Sequence, residues 1–309
     1  MWRHVVHRLL WVVLLLFGSA ACGGEVVGYE PDGGPFPDVG PFPDVDPLPD
    51  VDPLIPEIPC SEEGTWVYVI SHDHGLYRFD PSLRQFTLIS TLSCPTAGRP
   101  FSMAVSRSAI AYVLFYDDVA GGTCVGLNAV DVVTGECLGP TGFDCDNLEG
   151  FRLFGMGYAT LGPDTGQEKL YIMSGWGEPP WLASLEPEDG TVVPLVSMGT
   201  QDLAEMTGNS QGELFGFFNK ESPSFLSRID ISTGEIRDTV LLPANLSGGA
   251  SAVAYWGGDF YVFSSSGDSG DVYRVSGTNV TLHTSFPFSV VGAGVSTCAP
   301  DGSRSGPAD

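Results

Sequence analysis

A segment of alternating apolar residues that ends on a short polar one recurs five times. It reads LYRFD at 76–80, LNAVD at 127–131, LASLE at 182–186, LSRID at 226–230 and VYRVS at 272–276. The starts are 51, 55, 44 and 46 residues apart. A repeat of this length constrains the fold more than any single motif, because each unit must bury its apolar faces against its neighbours. Three copies run on into a turn, Thr134-Gly135-Glu136, Asp189-Gly190-Thr191 and Thr233-Gly234-Glu235. Each copy is preceded by an apolar, aromatic run: 66–70, 110–115, 170–173, 214–218 and 260–263. Before the last four of these runs comes another of small and apolar residues, at 101–105, 154–159, 203–207 and 251–255. The unit is therefore four short strands, a to d.

Four antiparallel strands repeated in this way form the blade of a β-propeller. The pattern L-x-x-x-D-x-x-T-G-E between strands c and d resembles the blades of bacterial propellers of the quinoprotein and YVTN type. The resemblance covers 61–300 as a blade pattern and assigns no catalytic residue. The turn has its own physics: the Asp at the end of strand c accepts from nearby backbone N–H groups, and Gly supplies the positive φ. The fold class is all-β, a five-bladed propeller. A six-bladed ring is the alternative, since 138–169 is long, and a β-sandwich is a weaker one. The first blade starts at strand b, and the chain ends on a lone strand a at 291–295. Pairing the two closes the ring and removes the open edge.

The N-terminus has the order of an export signal. Arg3 and Arg8 precede an apolar run over 9–17, then Gly18-Ser19-Ala20-Ala21-Cys22. Ending on Cys22, it resembles the lipobox of bacterial lipoproteins, in which that Cys carries the lipid. Ser19 stands where that family usually has Leu. Gly23 rather than Asp follows the Cys, so the resemblance implies the outer membrane, facing either side of it. The alternative is a plain signal peptide, cleaved near Ala21, with a free Cys22. Two or three acyl chains anchor stably where one does not.

Residues 35–58 then read PFPDVG, PFPDVD, PLPDVD, PLIPEI, with no Lys or Arg from Gly23 to Cys60. Pro at this density excludes helix and central strand and favours polyproline II. Three residues per turn put Phe36, Val39, Phe42, Val45, Leu48, Val51 and Leu54 on one edge. The segment reads as a semi-rigid acidic spacer. The alternatives are an apolar edge that docks on a partner and Asp edges that bind Ca2+. The domains expected are a signal peptide at 1–21, the lipidated Cys22 and stalk at 22–60, a propeller at 61–300 and a disordered tail at 301–309.

Six cysteines remain after Cys22, an even number that in an exported chain implies disulfides. The strand order brings Cys60, before the first strand b, to Cys298, after the closing strand. The hairpin of blade 2 pairs Cys124 with Cys145 and leaves Cys94 with Cys137. No Cys or His spacing matches a zinc site.

With Lys and Arg numbering 13 against 38 Asp and Glu, the chain carries a formal charge of −25, which excludes nucleic acid as a partner. The b–c loops of all blades open on one face. They collect His72, Asp73, His74, Asp117, Asp118, Trp176, Glu178 and Trp181 as a candidate binding face. His72 and His74 with Asp117 or Asp118 offer metal ligands, and the Asp residues offer oxygens to Ca2+. Asp117 with Glu178 offers paired carboxylates, and Trp176, Trp181 and Trp256 offer stacking platforms for sugars. No cofactor is required, Ca2+ being the exception considered. The favoured reading is a lipid-anchored binding or scaffolding module of the cell envelope, with a protein or glycan ligand. The competing one is a metal-dependent hydrolase or lactonase working on that face.

Overall fold

A computed structural model describes residues 57–118, 122–146, 151, 153–163, 165–174, 180–199, 201, 203–221, 223–243, 246 and 249–302. Residues 1–56, which hold the expected leader, Cys22 and the expected spacer, lie outside the described residues, as do Trp176, Glu178 and the chain from Ser303 onward.

Five four-stranded antiparallel sheets form a propeller. Blade 1 holds β1 (Val67–Ser71), β2 (Gly75–Asp80), β3 (Gln85–Thr91) and, as its inner strand, the C-terminal β20 (Val290–Gly294). Blade 2 is β4 (Arg99–Val105), β5 (Ile110–Asp117), β6 (Thr123–Asp131) and β7 (Cys137–Pro140). Blade 3 is β8 (Phe154–Thr160), β9 (Glu168–Ser174), β10 (Trp181–Glu186) and β11 (Thr191–Ser197). Blade 4 is β12 (Glu205–Gly208), β13 (Leu214–Phe218), β14 (Phe225–Ile229) and β15 (Ile236–Leu241). Blade 5 is β16 (Ala250–Trp256), β17 (Asp259–Ser266), β18 (Ser269–Ser276) and β19 (Asn279–Phe286). The long segment 138–169 adds no sixth sheet among the described residues. The ring closes where β20 pairs with β1, Val69 opposite Ala293 and Ile70 opposite Gly292.

The core is five separate clusters, each between two adjacent blades. The period of two along a strand sets which neighbour a side chain meets. In β1, Val67 and Val69 pack toward blade 5 with Ala252 and Phe263. Tyr68 and Ile70 point the other way, into blade 2 with Met103 and Val113. A strand b is thus buried on both faces, and β1 is buried throughout. This is why strands a and b read as unbroken apolar runs. The outer strands lie at the rim, and β11 and β15 have no fully buried residue.

The c–d turns work as the repeat predicts. Asp230 Oδ1 accepts from Ser232 N, Ser232 Oγ and Thr233 N at 3.1, 2.7 and 3.0 Å. Those bonds, led by the Ser232 hydroxyl, hold its carboxyl down at about 2. Gly234 takes φ 71°. In blade 1, Arg84 adopts φ 58° at the equivalent turn, where no Gly is present. Close approach at the axis makes a different demand. A Cβ on Gly155 of β8 would stand 1.9 Å from the carbonyl oxygen of Ala204, so any side chain there would displace blade 4.

Three disulfides staple the ring: Cys60–Cys298, Cys94–Cys137 and Cys124–Cys145. The last two flank blade 2, whose outer strand β7 is only four residues long. Among the described residues no helix is long and apolar enough to cross a membrane.

Candidate functional site: an axial funnel on the loop face

Strands a start, and strands b end, on the same side of the ring, so the b–c loops and the entries to the inner strands share one face. The opposite face carries the a–b turns, and both termini of the described chain lie across it. Arg107 Nε donates to Ile58 O at 2.8 Å and its guanidinium reaches Thr297 Oγ1 at 2.9 Å. Ser296 Oγ donates to Gly64 O at 2.6 Å, and Tyr255 Oη donates to Asp301 O at 3.2 Å. Beneath this cover Glu168 accepts from Arg107 N at 2.6 Å and from Thr297 Oγ1 at 2.8 Å. Burial outweighs those bonds and pushes its carboxyl up to about 7.

The loop face is open. A funnel of about 300 Å3 enters the axis there. His72, Lys220 and Asn219 come to it from b–c loops, and Tyr116 from the end of β5. Phe101, Glu205, Ser251 and Val291 come from the inner strands. Phe101 and Tyr116 meet edge to face, with ring centroids 5.7 Å apart. Asn219 Nδ2 donates to Ser251 Oγ at 2.7 Å and Gly249 O at 3.1 Å, tying the loop of blade 4 to the entry of blade 5.

Glu205 is the first residue of β12, only 8% exposed. Its Oε2 accepts from Ser102 Oγ at 2.9 Å, from β4 of blade 2, so the bond crosses the channel past blade 3. Burial, eased slightly by that hydroxyl, pushes the Glu205 carboxyl up to about 8. Among the described residues no cation forms an ion pair with it. A buried carboxyl in this setting is neutral at pH 7 and becomes an anion when a cation reaches it.

The structure distributes the expected face residues unequally. Arg99, unassigned by the sequence, gathers some of them at the rim. Its Nε donates to Asp118 Oδ2 at 2.7 Å, its guanidinium meets His72 Nδ1 at 3.2 Å, and Asp73 Oδ1 lies 3.8 Å away. His74 does not line the funnel. It takes φ 68° and packs toward Phe115, centroids 6.0 Å apart, where burial first and Arg99 next lower its pKa. Asp117 ends β5, and its carbonyl accepts from Gly122 N at 3.0 Å. Trp181 starts β10, 37% exposed and away from the funnel. Trp176 and Glu178 lie outside the described residues. Trp256 donates its indole N–H to Thr65 O at 2.9 Å on the opposite face, a packing role. No three His, Cys, Asp or Glu side chains among the described residues converge as metal ligands do. The metal set of His72, His74 and Asp117 or Asp118 is therefore not assembled.

Glu205, Ser102, Phe101 and Arg99 are the site residues that sequence reasoning misses. The signal was a Glu and a Ser inside runs otherwise small and apolar, at 203–207 and 101–105. A polar group in such a run faces either a partner or an axis. A cleft of about 700 Å3 between blades 4 and 5 is larger. Arg228 there pairs with Asp238 at 3.0 Å and Arg274 with Asp259 at 2.5 Å, while Asp301 is held by Ser210 and keeps a buried Oδ1 without a partner among the described residues. The funnel is preferred because it opens on the ring axis.

No family model matches the chain, and no curated protein matches it. Solved propellers are similar in structure. TolB from Acinetobacter baumannii is 11% identical with a TM-score of 0.41, over 70% of this chain and 51% of that one. This chain thus spans about half of that TolB. A calcium-binding regucalcin from Agrobacterium tumefaciens is 13% identical, TM-score 0.41, over 76% and 75% of the two chains. A putative TolB from the same organism is 13% identical, TM-score 0.43, over 75% and 80%. The likeness is one of fold alone.

Proposed function

We propose that this protein is an exported, lipid-anchored binding module of the cell envelope whose contact surface is the loop face. One observation carries the reading: the axis is open as a lined funnel on that face, while the ends of the described chain cover the other. Three disulfides fit an oxidising compartment. The export signal, the lipobox-like Cys22 and the acidic spacer add the anchor and its stand-off from the membrane. The protein needs no resident cofactor in this role.

Two measurements check it. The Cys22→Ser chain is expected in the soluble fraction. If it stays with membranes after a high-salt wash, lipid is not the anchor. Next, the wild type and a Phe101→Ala, Lys220→Ala variant are used as bait on membranes of the native cell. The wild type is expected to retain an envelope component that the variant loses. Equal retention by both would move the contact surface off the funnel. A stoichiometric divalent metal in purified protein would favour the hydrolase alternative.

A further inference from the structure

We propose that the funnel takes a small organic cation, whose ammonium or guanidinium head sits on the Glu205 carboxylate beside the rings of Phe101 and Tyr116. This deepens the binding-module reading and rests on it.

Three observations converge on this ligand chemistry. The first is a carboxyl more than nine-tenths buried that lines a cavity. It has one neutral hydrogen-bond donor, Ser102, and no ion pair among the described residues, although Lys220 lines the same cavity. A buried carboxylate without a counter-charge is costly, and a cation arriving from solvent relieves that cost. The second is the wall. Phe101 and Tyr116 are half-buried and offer ring faces and edges to an alkyl-ammonium or guanidinium group. The third is the field. A chain of net charge −25 draws cations toward any opening. Of the fixed cations nearby, Arg99 at the rim is held by Asp118 and Asp73, while Lys220 lines the cavity itself without pairing with Glu205.

The cavity also bounds the ligand. About 300 Å3 lies at the lower end of small-molecule sites, room for an amine with one ring or a short chain. A bare Ca2+ fits less well, because it takes roughly six to eight oxygens and Glu205 supplies two. Binding is proton-coupled. Glu205 is protonated at pH 7 in the empty funnel and must ionise to pair with the cation, releasing about one proton.

The test is calorimetry on the disulfide-intact chain with three probes of one shape: phenethylammonium, phenethyl alcohol and 3-phenylpropionate. Phenethylammonium is expected to bind, and at pH 7 its apparent enthalpy should depend on the buffer as release of about one proton requires. Glu205→Gln should weaken it at least tenfold and abolish the proton release, with the fold checked by its melting curve. Cation binding unchanged in Glu205→Gln would overturn the assignment. So would binding of the alcohol or carboxylate alone, although loss of that binding in Phe101→Ala would leave the funnel as a ligand site. Silence from all three probes would overturn the cation assignment. The membrane bait experiment then decides separately whether the face binds anything.

Discussion

The chain with Cys60→Ser and Cys298→Ser is expected to melt at least roughly 10 °C below the wild type, and further below it than either other cysteine pair so replaced. The first reason is chain entropy. A link across 238 residues is worth about 5 kcal/mol in that model, against about 4 and about 3 for separations of 43 and 21. The second is the composite blade. β20 reaches its blade from the far end of the sequence, and it holds β1 through a short ladder from Tyr68 to Ser71. The bonds of Ser296 and Thr297 to Gly64, Arg107 and Glu168 remain in the variant, so the ring still forms. Loss of β20 would expose β1 as an open edge, and aggregation on heating should rise with it. Scanning calorimetry of the three double variants decides the order. A larger loss from the Cys94 and Cys137 pair would show that blade 2, not closure, limits stability.

The second large effect is pH-dependent. A carboxyl ordinarily near 4.5 and raised to about 8 in the fold, as for Glu205, binds a proton in the native state that the unfolded chain has released. Stability from this group is fully present below about 4.5 and is lost as the pH rises through about 8. Glu168, raised to about 7, acts with the same sign over a narrower window. Asp230 acts with the opposite sign but between about 2 and 3.8, outside this range, whereas His74 and His283, lowered from 6.5 chiefly by burial, oppose the trend below about pH 6.5 through smaller shifts. The wild type should therefore melt higher at pH 5 than at pH 8.5. Each tenfold weakening of the acid on folding is worth about 1.4 kcal/mol, so Glu205 accounts for a few kcal/mol of the difference. In Glu205→Gln the amide oxygen still accepts from Ser102, and no charge is buried. That variant should match the wild type near pH 5 and exceed it at pH 8.5 by several degrees. Superimposable curves would show that Glu205 is solvated in the native protein.

Much of the architecture is legible in the sequence because its causes are local and repeated. Unbroken apolar runs in β1, β5 and β17 declare strands buried on both sides. Asp230 with Gly234 declares the turn between strands c and d, because an acceptor at the strand end and a positive φ are properties of a few residues. Repetition then supplies the blade number. The strand a left over toward the C-terminus supplies the closure and, with it, the pairing of Cys60 with Cys298. The thinly apolar outer strands are less plain, since the rim asks little of their side chains.

The funnel is a different matter. Glu205 reads as one residue of an inner strand, and its partner Ser102 stands 103 positions away. They meet because a ring of five blades is narrow at its axis, so strands two blades apart come within a hydrogen bond. Arg99 joins His72 to Asp118 for the same reason: the entry of one blade lies beside the b–c loop of the previous one. His74 leaves that group because positive φ at its own turn directs it toward Phe115. Local pattern tells which neighbour a residue faces within the ring. Which residues converge on the axis depends on the number and tilt of the blades, and only the closed ring decides it.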